Sequence, residues 1–445
     1  MSTVQSSLPQ QVVDVAIIGA GPVGLALAIE TARLGFETLL IDRRPPPTED
    51  AGLRPQLLVA RAGDLANLKY LGLDIRDPQL VSLLASRCEG DLTTGRTSRG
   101  PVQTLRRAPE RTDLRTLASQ PPLALVPIGR LQQALLDRAV RLGVHVHYDC
   151  DVTRVQRHAR FASIECEHGD STRAALVVIA TGAARSLAKT LLRGECQVTL
   201  PVQRMIAGLF AAGGEQARWI RVELPVPGLA QPARATVLQT SAESGAGTGV
   251  LVQAPGEALP AAFEVAAREH GLTGAPFAVE PQVFDTAVTT LGRRTIYGDG
   301  RAPIVIAGDA AQTGHVFSGQ TCFINLALGL GRELRHARKA RVEQMFEQAS
   351  IARALARYET QSHIGAGILL AASQRHYAAH RRGAWALAGV ALAEVRAGRA
   401  IRLGRPVVFC GPWRVTKNER GGRGIGSRSV WSILVFLKPR SRPRS

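Results

Sequence analysis

Val12-Val13-Asp14-Val15-Ala16-Ile17-Ile18-Gly19-Ala20-Gly21-Pro22-Val23-Gly24 begins with a run rich in β-branched residues and passes directly into three glycines spaced G-x-G-x-x-G. The run reads as a buried strand, Val12–Ile18, ended by glycine. Residues Gly21–Leu34 read as a helix closed by Gly35, and Glu37–Ile41 as a second strand with Asp42 at its end. Each glycine of such a unit has its own task. Gly19 permits the tight turn, Gly21 lets backbone approach a pyrophosphate, and Gly24 lets helix and strand pack closely. The helix N-terminus contributes unpaired N–H groups and the positive end of a dipole. Asp42, eighteen residues beyond Gly24, offers a carboxylate to ribose hydroxyls. The unit therefore predicts a bound dinucleotide, with Gly19, Gly21, Gly24, Asp42 and the adjoining Arg43 in the cofactor set. Glu37, the competing acid, stands at the start of its strand and is expected to be exposed.

Outward from this unit, Pro45-Pro46-Pro47 halts regular structure, and a helix is expected near Leu57–Leu71. Residues 86–122, rich in Arg, Thr, Gly and Pro, read as a loop-dominated excursion. Leu131–Leu142 reads as an amphipathic helix, and Val144–Tyr148 and Ala175–Ile179 as strands. The pattern then changes. Leu200–Phe210, Trp219–Leu224, Ala235–Thr240, Gly249–Gln253 and Gln282–Thr289 are short β-rich pieces between Gly/Pro/Ser turns, with one helix at Glu257–His270. The α/β character returns at Pro303–Ala307, a strand leading to Gly308-Asp309 and a helix from about Gly319. The expected fold class is α/β: a Rossmann-like parallel sheet with an inserted antiparallel sheet and a helical C-terminal region. The expected divisions are 10–85, 123–195 and 299–340 for the dinucleotide domain, 86–122 for the excursion and 196–298 for the insert. Residues 341–400 form a helical region and 401–445 a basic tail.

The chain has 445 residues and a net charge of +19. Residues 401–445 hold eleven Lys/Arg and one Glu, so they carry +10, and the rest carries +9. The tail reads as a disordered basic extension, either a solvated appendage or a segment suited to peripheral contact with an anionic membrane. It lacks the interleaved aromatics of base stacking, so nucleic acid is not the expected partner. Six widely spaced cysteines suggest neither a zinc site nor a disulfide scaffold, and a reducing cytoplasm is the expected setting. The N-terminus reads as no signal peptide, and no run reaches the ~20 apolar residues of a membrane-spanning helix.

A second motif narrows the dinucleotide. Ile304-Val305-Ile306-Ala307-Gly308-Asp309-Ala310-Ala311 is a buried strand delivering an aspartate to a glycine-flanked turn, followed by Gly319-Gln320 and the helical Asn325-Leu326-Ala327-Leu328. Here the chain resembles the class A flavoprotein monooxygenases of the p-hydroxybenzoate hydroxylase type, over roughly residues 12–335. The resemblance implies that Asp309, with Gly308, meets the ribityl chain of FAD. It also implies that the helix after Gly319 and Gln320 points its N-terminus at the flavin, where its dipole favours negative charge. Arg61 is implied near FAD, in preference to Arg54. Arg130 and Gln132, in Val126-Pro127-Ile128-Gly129-Arg130-Leu131-Gln132, occupy the region where a polar side chain contacts the cofactor.

By the same resemblance, the activity is hydroxylation of an aromatic or lipophilic small molecule with NADH or NADPH and O₂, needing no metal. His315 and Gln312 flank the implied flavin site as candidates for proton transfer. Phe210, Trp219, Phe284 and Tyr297 are candidate pocket residues, each with a competing role in core packing. The chain departs from the family twice. Ala180-Thr181-Gly182 replaces the usual Asp-Gly pair, with Thr181 kept in the cofactor set, and Val316-Phe317-Ser318 lacks the proline that precedes Gly-Gln. Two alternatives therefore stay open: an FAD-dependent reductase or dehydrogenase on the same scaffold, and a catalytically degenerate flavin-binding protein.

Overall fold

The computed structural model describes residues 8–9, 11–46, 56–91, 96–101, 123–182, 186–192, 197–199, 203–229, 232–286, 289–291, 293–313, 322–338, 350–362, 407–410 and 432–435. The first strand, β1 (Val12–Ile18), leads into helix α1 (Pro22–Arg33) and then strand β2 (Thr38–Ile41). Proline at the first helical position costs no hydrogen bond and has its φ already set for a helix. Gly35, at φ +74°, closes the helix as expected.

β1 lies inside an eight-stranded sheet. On one side it pairs in parallel with β2, which pairs with His145–His147. On the other it pairs with Ser171–Ile179, which pairs with Ile304–Ile306. Val12–Ile18 is therefore where the strand order reverses. Alternate residues of these strands serve opposite faces. Val15, Ile17, Leu40, Val178 and Val305 join the core under α1 and the helices Ile128–Arg141, Cys322–Arg338 and 350–362. Val13, Ala16, Ile18, Ile41, Ile179 and Ile306 join a second core with the hairpin Val152–Arg157/Ala162–Cys166 and helix Ser186–Leu192. Strands buried on both faces read as continuous apolar runs, and this explains why they were visible in the sequence.

The second sheet has nine strands and is mostly antiparallel. Its order runs Phe277–Thr286, Gln203–Phe210, Thr248–Gln253, Ala233–Gln239, Ala217–Leu224, Ser82–Asp91, Ala124–Pro127, Leu57–Ala60. Helix Leu259–Glu269 covers one face through Leu259, Ala262, Phe263 and Ala266. Phe210 stacks with Phe263 and lies 4.5 Å from Phe277 between ring centroids, and Trp219 packs with Leu84 and Leu125. Both side chains serve the core. Phe284 and Tyr297 are half-buried.

Three expectations are corrected here. Leu57–Ala60 is a strand, and the helix starts only at Ala62, because Leu57–Ala60 is too short a run for periodicity to separate strand from helix. Residues 86–91 and 96–101 are not loop: they form the hairpin Ser82–Asp91/Arg96–Pro101, which joins the second sheet through its parallel pairing with Ala217–Leu224. Within the basic tail, Val407–Cys410 and Ser432–Val435 pair as antiparallel strands. Cys150 and Cys166, both buried at the two ends of the Val152–Cys166 hairpin, are joined as a disulfide that the sequence reading did not anticipate. Among the described residues no helix is long and apolar enough to cross a membrane, and no His/Cys/Asp/Glu group is arranged to hold a metal.

Candidate cofactor site

Three chain segments meet at the C-terminal ends of three adjacent parallel strands: the turn after β1, residues 180–182, and the turn 307–312. Such a crevice, where strand order reverses, is where open α/β sheets bind ligands. The glycines of the first turn divide by what surrounds them. A methyl group on Gly24 would stand 1.9 Å from the carbonyl oxygen of Gly19, so α1 and the turn touch through bare backbone. Gly19, at φ +114°, would carry a methyl 2.4 Å from the carbonyl oxygen of Ala180. Gly21 is different: a methyl there meets nothing within 4 Å. Two glycines are demanded by the fold, whereas Gly21 leaves open a space that the fold itself does not need.

The first internal bond of α1 runs from Leu25 N–H to Gly21 C=O, 2.9 Å. The N–H groups of Gly21, Val23 and Gly24 therefore have no carbonyl within the helix and face its N-terminal end. The peptide of Ala20 is gripped from both sides. Its N–H donates to Asp42 Oδ2 at 2.6 Å, and its carbonyl accepts from Gln132 Nε2 at 2.8 Å. Gln132 Oε1 is buried and has no hydrogen-bond partner among the described residues.

Asp42 is 5% exposed. Arg44, and not Arg43, meets it: Arg44 Nε donates to Oδ1 at 2.9 Å, Nη2 to Oδ2 at 2.7 Å, and its backbone N–H to Oδ1 at 2.9 Å. Burial alone raises the pKa of Asp42, but the side-chain and backbone hydrogen bonds and charge of Arg44, with the Ala20 N–H, outweigh it and hold the carboxyl below its ordinary range. Tyr148, raised by burial and by the Asp42 charge, keeps its proton, and its buried hydroxyl has no hydrogen-bond partner among the described residues. Arg44 and Tyr148 escaped sequence reading because neither falls on a motif position; only spacing from Asp42 hinted at Arg44. Arg43 and Glu37 are exposed.

The second turn is built on Gly308, at φ +63°, with Asp309 half-buried beyond it. Ala307 N–H donates to Ile179 C=O at 2.9 Å, and the N–H groups of Ala311 and Gln312 both donate to Gly308 C=O at 3.0 Å. A methyl on Gly308 would lie 3.2 Å from both Cγ atoms of Val23, so the two glycine turns are in contact. Gln312 is buried, with its Oε1 accepting from Arg294 Nη2 at 3.2 Å. Thr181 is exposed beside the first turn, where Ala180 N–H donates to Ile18 C=O at 2.7 Å. Arg61 is buried as the N-cap of Ala62–Tyr70, its backbone N–H donating to Asp64 Oδ2 at 2.9 Å and its guanidinium 3.9 Å from the same oxygen. Arg130 is exposed. His315, Gly319, Gln320 and Arg54 lie outside the described residues.

Residues 12–191 match the family model described as FAD binding domain. The chain is similar in fold to the p-nitrophenol 4-monooxygenase of Pseudomonas putida, at 16% identity and a TM-score of 0.63, over 89% of this chain and 96% of that one. It is also similar to a probable FAD-dependent monooxygenase of Pseudomonas aeruginosa, at 16% identity and a TM-score of 0.57, over 80% and 97%. A flavoprotein/dehydrogenase from Cytophaga hutchinsonii follows at 18% identity and a TM-score of 0.56, over 80% and 86%. No curated protein gives a significant sequence match. Residues 12–191 thus match an FAD binding domain, and the chain shares the fold of these solved flavoproteins.

Proposed function

We propose that the chain is a flavin-dependent oxidoreductase, specifically an FAD-dependent monooxygenase that hydroxylates an aromatic or lipophilic small molecule with NADH or NADPH and O₂. The observation that carries this reading is the open space at Gly21, set beside free helix N–H groups, Asp42 and the Asp309 turn within an FAD binding domain. FAD, when bound, supplies the electron transfer between nicotinamide and oxygen that no side chain can perform.

The chain's own residues bind, orient and shield. Gly21 and the first N–H groups of α1 receive the pyrophosphate, where backbone donors and the helix dipole act together on one anion. Asp42 takes the ribose hydroxyls in exchange for bonds it now makes to Arg44, and Gln132 holds the Ala20 peptide in register. Asp309 takes the ribityl chain, with the turn behind it closed by Gly308 and Gln312. Arg61 and Thr181 flank the cofactor. His315 is the candidate proton carrier; Gln312, buried and engaged by Arg294, acts as a strut. The second sheet closes over the flavin and excludes water from the organic substrate. A cytoplasmic setting fits this chemistry, and the +10 charge of residues 401–445 favours contact with an anionic membrane that holds a lipophilic substrate.

The reading is tested by the absorption spectrum of the purified protein, then by NADH and NADPH consumption and oxygen uptake with a panel of aromatic compounds. A yellow protein that yields a hydroxylated product supports it. A protein that stays colourless after incubation with FAD overturns it. Thr181, exposed where the family carries an acid, favours a second reading, a reductase or dehydrogenase without oxygen insertion; nicotinamide oxidation giving only peroxide would support that one. A yellow protein inert with both nicotinamides would mark a degenerate flavin binder.

A further inference from the structure

We propose that Arg294 is a positioning residue for the Asp309 turn, tying that turn to helix 350–362 so that docking of the helix and retention of FAD are coupled. The proposal rests on the FAD reading above. Arg294 is fully buried and is the largest such side chain among the described residues. A guanidinium is almost never enclosed this way unless several acceptors hold it. Its Nη1 donates to the Ser362 carbonyl at 2.5 Å and to the Ser362 hydroxyl, within the helical residues 350–362, and its Nη2 donates to Gln312 Oε1 at 3.2 Å. One planar group therefore spans Ser362 of the helix and the end of the proposed cofactor turn.

The backbone repeats the connection. Arg294 N–H donates to Glu359 Oε1 at 3.0 Å, and the Thr295 hydroxyl donates to the other oxygen of that carboxylate. Arg294 C=O accepts from Ile306 N–H at 2.7 Å, in the strand that delivers Asp309. Tyr358, fully buried and pushed up to about 12 by burial against the pull of the Arg294 charge, stays protonated and donates to Ile306 C=O at 3.4 Å. Gln312 in turn closes the turn through its N–H to Gly308 C=O. The path from helix to Asp309 is thus two side chains long. Its geometry is discrete, since the guanidinium fork fits one arrangement of acceptors and lysine cannot reproduce it.

The experiment titrates apo-protein with FAD, following quenching of flavin fluorescence, for wild type, Arg294→Met, Arg294→Lys and Gln312→Met, with thermal melting of each apo form beside it. Arg294→Met and Gln312→Met are expected to weaken FAD binding about tenfold each, the cost of freeing one buried polar partner. Arg294→Lys is expected to recover part of that loss, and the double Met variant to be no weaker than the poorer single one. Gln312→Met leaves Arg294 on Ser362, so it tests the link even where Arg294→Met does not fold. Variants with unchanged FAD affinity overturn the proposal, as does a loss of affinity that only tracks a lowered apo melting temperature. Wild-type protein that fails to bind FAD overturns the FAD reading itself, and the proposal with it.

Discussion

The two turns that meet at the proposed cofactor site are held by different kinds of force. The Gly19–Gly24 turn is secured mainly by backbone contacts, whether the touching backbone is near or far along the chain. Gly24 touches the Gly19 carbonyl, Gly19 abuts Ala180, and Asp42 grips the Ala20 N–H. The Gly308–Gln312 turn makes its own short-range bonds, yet its outer anchor comes from Arg294 and, through it, from Ser362, fifty residues beyond Gln312. A turn specified by backbone sterics can be written in a short motif, because only glycine satisfies it. A turn specified by distant side chains cannot, since many residue pairs would satisfy the same need.

The sharpest test of this contrast is Gly24→Ala. Its methyl cannot fit beside the Gly19 carbonyl, so the apo-protein should lose at least about 3 kcal/mol, read from urea denaturation, or fail to accumulate folded. Gly21→Ala should separate folding from binding. Apo stability should stay within about 1 kcal/mol of wild type, while FAD affinity drops on the order of 100-fold in the same fluorescence titration. Equal stability losses at Gly21 and Gly24 would erase the division between them.

Asp42→Asn should have a smaller effect with a distinctive pH signature. The carboxyl of Asp42 titrates below its ordinary value of 3.8 in the folded protein, so it binds protons less readily folded than unfolded. Its stabilisation is present above that ordinary value and is lost as pH falls through the lower folded value. Wild type should therefore lose stability on acidification below about pH 4 more steeply than Asp42→Asn, as measured by melting temperature across pH. FAD affinity of the variant should fall about tenfold at neutral pH, the scale of losing a hydrogen bond to a charged acceptor. The smallest effect is expected at the second turn. Ser362→Ala removes one hydroxyl but keeps the carbonyl acceptor for Arg294, so stability should fall by about 1 kcal/mol or less. A loss as large as that at Gly24 would mean the second turn is no less rigidly specified than the first.

Legibility in the sequence followed the same line. β1, α1 and β2, the glycines, Asp42 and Asp309 stood out because buried parallel strands and glycine turns leave local patterns. Leu57–Ala60 did not, being too short for its period to tell strand from helix. The Ser82–Pro101 hairpin hid behind Arg, Thr and Gly residues, and its place was decided by a partner strand more than a hundred residues later. Arg44 and Arg43 are indistinguishable in the sequence, because adjacency along the chain says nothing about which side chain turns back to a carboxylate.

The sequence alone determined a strand–glycine turn–helix unit at Gly19–Gly24, an acid, Asp42, at the end of the next strand, and a second acidic turn at Asp309. Those features rest on backbone sterics that only glycine satisfies and on short-range periodicity, and both leave their mark within a short stretch of sequence. Only the tertiary structure decided that Gly21 alone of the three glycines faces open space, that Arg44 covers Asp42, and that Arg294 joins the Asp309 turn to a distant helix. These are contacts between residues far apart along the chain or turned by local geometry, and no spacing rule encodes where a long side chain finds its acceptors.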